Sequence, residues 1–138
     1  MHDNVLMLRD LWNKLLLSHN IDVCTDQLKG CGVLEVKILK YIYFNSNAKI
    51  RDILKNLNVP NSTMTNAINR LTKKGLIKRK INDNDLRSFE LQLTPDGESA
   101  VLSHLSAETV IFENMLSSLT EEEQNTFVKL FDKIVSKI

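Results

Sequence analysis

Glycine is scarce in this sequence, with four among 138 residues. A phosphate-cradling loop needs glycines grouped at fixed spacing, and no such group occurs. No recognisable Ser/His/Asp motif appears either, so the chain is read as a non-enzyme. Cysteine is equally rare: Cys24 and Cys31 are the two present. In a secreted domain they could pair, whereas a reducing compartment keeps them as thiols. His2, His19, Cys24, Cys31 and His104 fall into no short ligand pair. A zinc site needs three or four converging ligands, so no metal and no cofactor is expected. No apolar run approaches the roughly 18 residues of a membrane span. Asp3, Arg9, Asp10 and Lys14 interrupt the N-terminus, and no small-residue cleavage site succeeds them. That is unlike a secretory leader, and the cytoplasm is the expected compartment. A large excess of charge is also missing, since the formal net is +1.

What is present is an ordinary globular composition, 43% hydrophobic and 25% charged. This length buries a core without disulfides or metals, as one domain or one domain with extra helices. The charge is unevenly spread. Arg70 to Arg87 holds seven basic residues against two acidic ones, and Ser88 to Val128 holds eight acidic residues and no lysine or arginine. The distribution is more informative than the sum.

Periodicity predicts helices at both ends and an extended stretch between them. Val5, Leu8, Leu11, Trp12, Leu15 and Leu16 recur at spacings of three and four over residues 4–18. Residues 20–32, with Asn20, Asp22, Gly30 and Gly32, read as a loop. Leu34, Ile38, Leu39, Ile42 and Tyr43 mark a second helix over 33–45, and Ile50, Ile53, Leu54 and Leu57 a short third over 49–57. Asn58-Val59-Pro60 makes a turn. Asn61 or Ser62 is expected to cap a fourth helix. Its buried face is Met64, Ala67, Ile68 and Leu71, and Gly75 stops it.

Leu76–Ile81 and Ser88–Leu93 read as two strands, joined by a polar tip from Asn82 to Arg87. Thr94-Pro95 then opens a helix, threonine capping and proline in the first position. Residues 95–117 carry Val101, Leu102, Leu105, Val110, Ile111, Phe112, Met115 and Leu116. That is more apolar surface than one small domain needs. Thr120-Glu121-Glu122-Glu123 forms a capping box before a last helix with Phe127, Leu130, Phe131, Ile134 and Ile138.

The third and fourth helices, joined by a turn of about four residues, form a helix-turn-helix with a hairpin directly after it. The exposed face of the second of these helices is Thr63, Thr65, Asn66, Asn69, Arg70 and Lys73, with no acid. A helix that approaches phosphates and base edges excludes acids; one that only needs solubility usually mixes both signs. The stretches Ser62–Leu71, Lys74-Gly75-Leu76-Ile77-Lys78-Arg79, and Asp85-Leu86-Arg87 with Leu91-Gln92-Leu93-Thr94 and Gly97 come in order. In that order the chain resembles the multiple-antibiotic-resistance regulator (MarR) family of winged-helix transcription factors, over nearly its whole length. The fold class is then mainly α with a small β-hairpin wing. Residues 1–138 form a single chain of that type, with a winged-helix DNA-binding lobe at 33–94 and dimerisation helices at 1–20 and 95–138.

The resemblance implies a homodimer on a pseudo-palindromic double-stranded DNA site, more often as a repressor, released by a small aromatic effector. It puts the fourth helix in the major groove and Arg87 in the minor groove. Leu8, Leu11, Leu15, Phe112, Leu116, Phe127, Phe131 and Ile134 fall on the helices it assigns to dimerisation. Ser62, Thr63 and Thr65 sit near a helix N-terminus, where open N–H groups favour phosphate. Asn66, Asn69 and Arg70 can offer hydrogen bonds to base edges, Asn66 ahead of Asn69. Lys73, Lys74, Lys78, Arg79 and Lys80 suit phosphate neutralisation. Arg87 suits a narrow, electronegative groove, with Asp85 orienting it or another arginine. Arg70 has a second reading, as a structural arginine paired with Asp52 or Asp85. Cys24 and Cys31 are expected to be inert loop thiols, and a thiol or metal sensor is the alternative. Trp12, Tyr41, Tyr43 and Phe44 line an effector pocket or simply pack the core. A winged-helix module for a protein partner remains a rival, opposed by the basic face because interface centres are poor in lysine.

Overall fold

The computed structural model describes residues 1–18, 26–82 and 85–138, with the side chains of 18, 26, 82 and 85–88 outside that description. Cys24 lies outside the described residues. The elements run α1 (His2–Ser18), a 3-10 turn (Asp26–Leu28), α2 (Val33–Phe44), β1 (Ala48–Lys49), α3 (Ile50–Leu57), α4 (Asn61–Lys73), β2 (Ile77–Asn82), β3 (Asp85–Leu93), α5 (Pro95–Leu116) and α6 (Glu121–Val135). Two compact units result: Cys24–Leu105, and Met1–Val23 with Ser106–Ile138. No helix among the described residues is long and apolar enough to cross a membrane.

The mainly helical architecture with a small antiparallel sheet agrees with the expectation, with one strand added. The sheet order is β1-β3-β2. β2 and β3 form the hairpin, in register Ile77↔Leu93 to Ile81↔Phe89, and β1 pairs the far edge of β3 through Ala48↔Leu91 and Lys49↔Glu90. Two residues carry no period-two pattern, so β1 left no mark in the sequence. Residues 26–28, read as loop, form a single 3-10 turn whose Leu28 is buried.

The core of the Cys24–Leu105 unit is built from one stripe per helix. Ile38, Leu39 and Ile42 of α2, Ile53 of α3, and Met64, Ala67, Ile68 and Leu71 of α4 are all buried, with Leu91 from the sheet. Ala100, Val101 and His104 of α5 are buried too.

Two junctions tie the end of α4 to β2 and α5. α4 ends in a Schellman motif: Leu76 N–H donates to Leu71 O at 3.1 Å and Gly75 N–H to Thr72 O at 3.0 Å. Gly75 holds φ +75° there, a conformation that costs a side-chain-bearing residue energy. Thr94 caps α5 as expected, its Oγ1 accepting from Gly97 N–H at 3.0 Å and donating to Gly75 O at 2.6 Å. A Cβ at Gly97 would overlap the Leu76 carbonyl oxygen, so glycine is required for α5 to sit this close.

The other caps divide. Thr120 forms the full capping box with Glu123. The side-chain cap expected on α4 from Asn61 or Ser62 is absent. The helix starts one residue earlier than that reading required, with Pro60 at the N-cap and Met64 N–H bonding to Pro60 O at 3.0 Å. Proline has no side-chain acceptor, and Asn61 and Ser62 are already inside the first turn.

Candidate nucleic-acid interface

α4 presents its faces as its period dictates. Met64, Ala67, Ile68 and Leu71 are buried, while Ser62, Thr63, Thr65, Asn66, Asn69, Arg70 and Lys73 are exposed. No acid occurs in its first turn. With no side-chain cap, the first backbone N–H groups of α4 keep their capacity to donate outward, where the helix dipole favours an anion.

β2 begins a few residues after α4 ends. Successive strand residues point to opposite faces, so Ile77, Arg79 and Ile81 share one face and Lys78 and Lys80 the other. Lys78, Arg79 and Lys80 are all exposed. Arg79 donates to Asn69 Oδ1 at 2.6 Å, tying the strand to the middle of α4. An arginine only donates, so this contact sets the Asn69 amide with its oxygen toward Arg79. Glu90 stands opposite Lys80 on one side and Lys49 on the other, and its charge offsets part of theirs. Asp85 and Arg87 lie on β3, and their side chains fall outside the described residues.

Arg70 is paired, though not with Asp52. Its Nε donates to Glu35 Oε1 at 2.6 Å, and Lys74 Nζ donates to Glu35 Oε2 at 2.9 Å. Glu35 stands in the first turn of α2 and is 4% exposed. Lys74 Nζ also donates to Gly30 O at 2.8 Å and lies 3.7 Å from Cys31 Sγ. Those three partners account for the three N–H donors of an ammonium. Lys74, expected as a phosphate neutraliser, is held here by partners within the protein. Burial raises the Glu35 carboxyl, but hydrogen bonds and charge from Arg70 and Lys74 outweigh it, leaving it below the usual carboxylate range. The Glu35 hydrogen bond raises Lys74 above its usual value. The sequence did carry a signal for Glu35. It shares the buried stripe of α2 with Ile38, Leu39 and Ile42, and a carboxylate there needs cationic partners.

Burial pushes the Cys31 thiol up, and the Lys74 charge opposes this without reversing it. That favours the inert thiol over a reactive one, which needs a lowered pKa. Among the described residues, no group of three or more His, Cys, Asp or Glu is placed to hold a metal ion. Tyr41 accepts a hydrogen bond from Asn56 Nδ2 at 3.0 Å. Tyr43 packs against the core and meets Phe44 edge-on at 5.1 Å, while Phe44 itself is exposed.

The unit of Met1–Val23 and Ser106–Ile138 is the opposite of a core. Leu8, Leu11, Phe112, Phe127, Phe131 and Ile134 are exposed, and Leu15 and Leu116 half-buried. α6 buries no residue at all.

A helix-turn-helix, a two-stranded wing and uncovered terminal helices together make a testable signature, and comparison with known proteins decides it. Residues 33–89 match the model of the MarR family. The helix-turn-helix transcriptional regulator YwhA of Bacillus subtilis is 33% identical over 70% of each chain. The chain belongs to the MarR family. A second relative from B. subtilis, the transcriptional repressor MdtR, is 30% identical over 69% of this chain and 61% of its own length. Among solved structures, a mutant of MepR from Staphylococcus aureus bound to an oligodeoxyribonucleotide matches with a TM-score of 0.64. It is 22% identical and covers 97% of this chain and 96% of that one. The MarR match spans α2 through the start of β3, the segment that carries the acid-free helix and the basic strand.

Proposed function

We propose that this MarR-family protein is a homodimeric, sequence-specific regulator that binds a pseudo-palindromic duplex. It would act as a repressor, and a small aromatic effector would release it. The observation that carries the reading is the exposed face of α4, free of acid and tied to the basic strand β2 where Arg79 donates to Asn69. α4 enters the major groove. Ser62, Thr63 and Thr65 meet phosphate near its N-terminus, and Asn66 pairs with a base edge. A bidentate asparagine–adenine pair discriminates by about 1–3 kcal/mol. Lys73, Lys78 and Lys80 neutralise phosphates, and Arg87 takes the minor groove, with Asp85 orienting it or another arginine. Two such lobes, joined through Leu8, Leu11, Leu15, Phe112, Leu116, Phe127, Phe131 and Ile134, reach major grooves about 10 base pairs apart. The repressor named among the relatives and the DNA-bound MepR structure support the assignment.

The test is a titration of the protein onto its own promoter region at several salt concentrations. Saturable binding that depends on sequence and weakens with salt is expected. Equal affinity for operator and random duplex would refute specific regulation. An added small aromatic effector should raise the apparent Kd for the operator.

A further inference from the structure

The strongest unexplained feature is the cluster at the end of α4. Glu35 is nearly enclosed, its side chain 5% exposed, yet it grips two cations of the DNA-facing unit, Arg70 and Lys74. Lys74 also holds the Gly30 carbonyl. A single carboxylate therefore joins the first turn of α2, the chain leading into it, and the last turn of α4. Each charge suits its helix end: the acid at an N-terminus, the bases at a C-terminus.

We propose that Arg70 and Lys74 are positioning residues, held by Glu35 to set how α4 is presented, and that base readout is confined to the turns of α4 before Arg70. This rests on the DNA-binding reading above. Three observations support it. Arg70 Nε is committed to Glu35, which takes away the side-on fork and ties down the guanidinium, leaving a base the terminal amino groups alone. The three donors of Lys74 are spent within the protein. Glu35 is buried, so a cation that leaves it for DNA strands a buried carboxylate, a costly exchange.

The experiment is a double-mutant cycle on the full chain with E35Q, R70Q and the pair, read twice. Urea unfolding without DNA reads the clamp: the midpoint losses of the single variants should not add in the pair. Fluorescence anisotropy with the selected operator and a random duplex, at three salt concentrations, reads the role. R70Q should weaken operator binding about tenfold, leave random-duplex binding within about twofold, and leave the salt slope unchanged. E35Q should match it, and the pair should be no weaker than either.

Any of three results overturns the assignment. The first is an R70Q protein that sheds about one unit of salt slope, the mark of a lost phosphate contact. The second is an R70Q protein that loses discrimination at one base pair while E35Q binds normally. The third is an E35Q protein that binds more tightly with a steeper slope, making Arg70 and Lys74 restrained DNA contacts. Should E35Q fail to fold, R70Q decides alone, because its side chain is 53% exposed. A wild-type protein that binds no duplex with sequence preference refutes the functional reading, and this assignment falls with it. Normal wild-type binding with a direct-contact R70Q refutes only the inference.

Discussion

Glu35 has a stability signature of its own. Its carboxyl is lowered in the folded protein, so its contribution is present above the ordinary carboxylate value and is lost as pH falls through the lowered one. Lys74 is raised; its contribution is complete below the ordinary lysine value and disappears as pH climbs through the raised one. Between these limits the cluster is intact. Unfolding free energies of wild type and E35Q, from urea titrations, should differ most near neutral pH, by about 1–3 kcal/mol for a buried hydrogen-bonding group left unmatched. The gap should close on acidification below the carboxylate range. A gap independent of pH would mean that Glu35 is not ionised in the native state. Gly97 makes a second residue-scale prediction. A methyl group there overlaps the Leu76 carbonyl, so G97A should destabilise by about 1–3 kcal/mol through overpacking, read as a lowered thermal midpoint.

At the scale of elements, the proposed function divides recognition between α4 and the β2–β3 hairpin. N66A should lose operator-against-variant discrimination at one base pair, by about 1–3 kcal/mol. K78A should weaken operator and random duplex alike and reduce the salt slope by about one. Anisotropy titrations on a panel of single-base operator variants separate the two. A uniform loss in N66A would move that residue from base readout to backbone contact. Arg79 belongs to the same scale: its bond to Asn69 ties β2 to α4, so the two present themselves together.

At the scale of the molecule, uncovered apolar helices are the main feature. Exposed apolar area of this extent marks an interface more often than a solvated face. The paired substitution F127E/F131E should shift the protein to monomer in sedimentation velocity and abolish tight operator binding. The Cys24–Leu105 unit should keep its fold, because neither residue contributes to its core. A dimer that survives both charges would place the interface elsewhere.

Sequence by itself determined the helices, the buried stripe of α4, the hairpin, the Thr94 and Thr120 caps and the stop at Gly75. Each of these depends on periodicity or on bonds within a few residues, which a one-dimensional pattern records. Only the tertiary structure decided that Ala48–Lys49 joins the sheet, that Pro60 rather than Asn61 or Ser62 precedes α4, and that Arg70 and Lys74 meet at Glu35. Arg70 and Glu35 are 35 positions apart in the chain. A carboxylate's partners at that range are chosen by how two helices pack, and no local spacing encodes that choice.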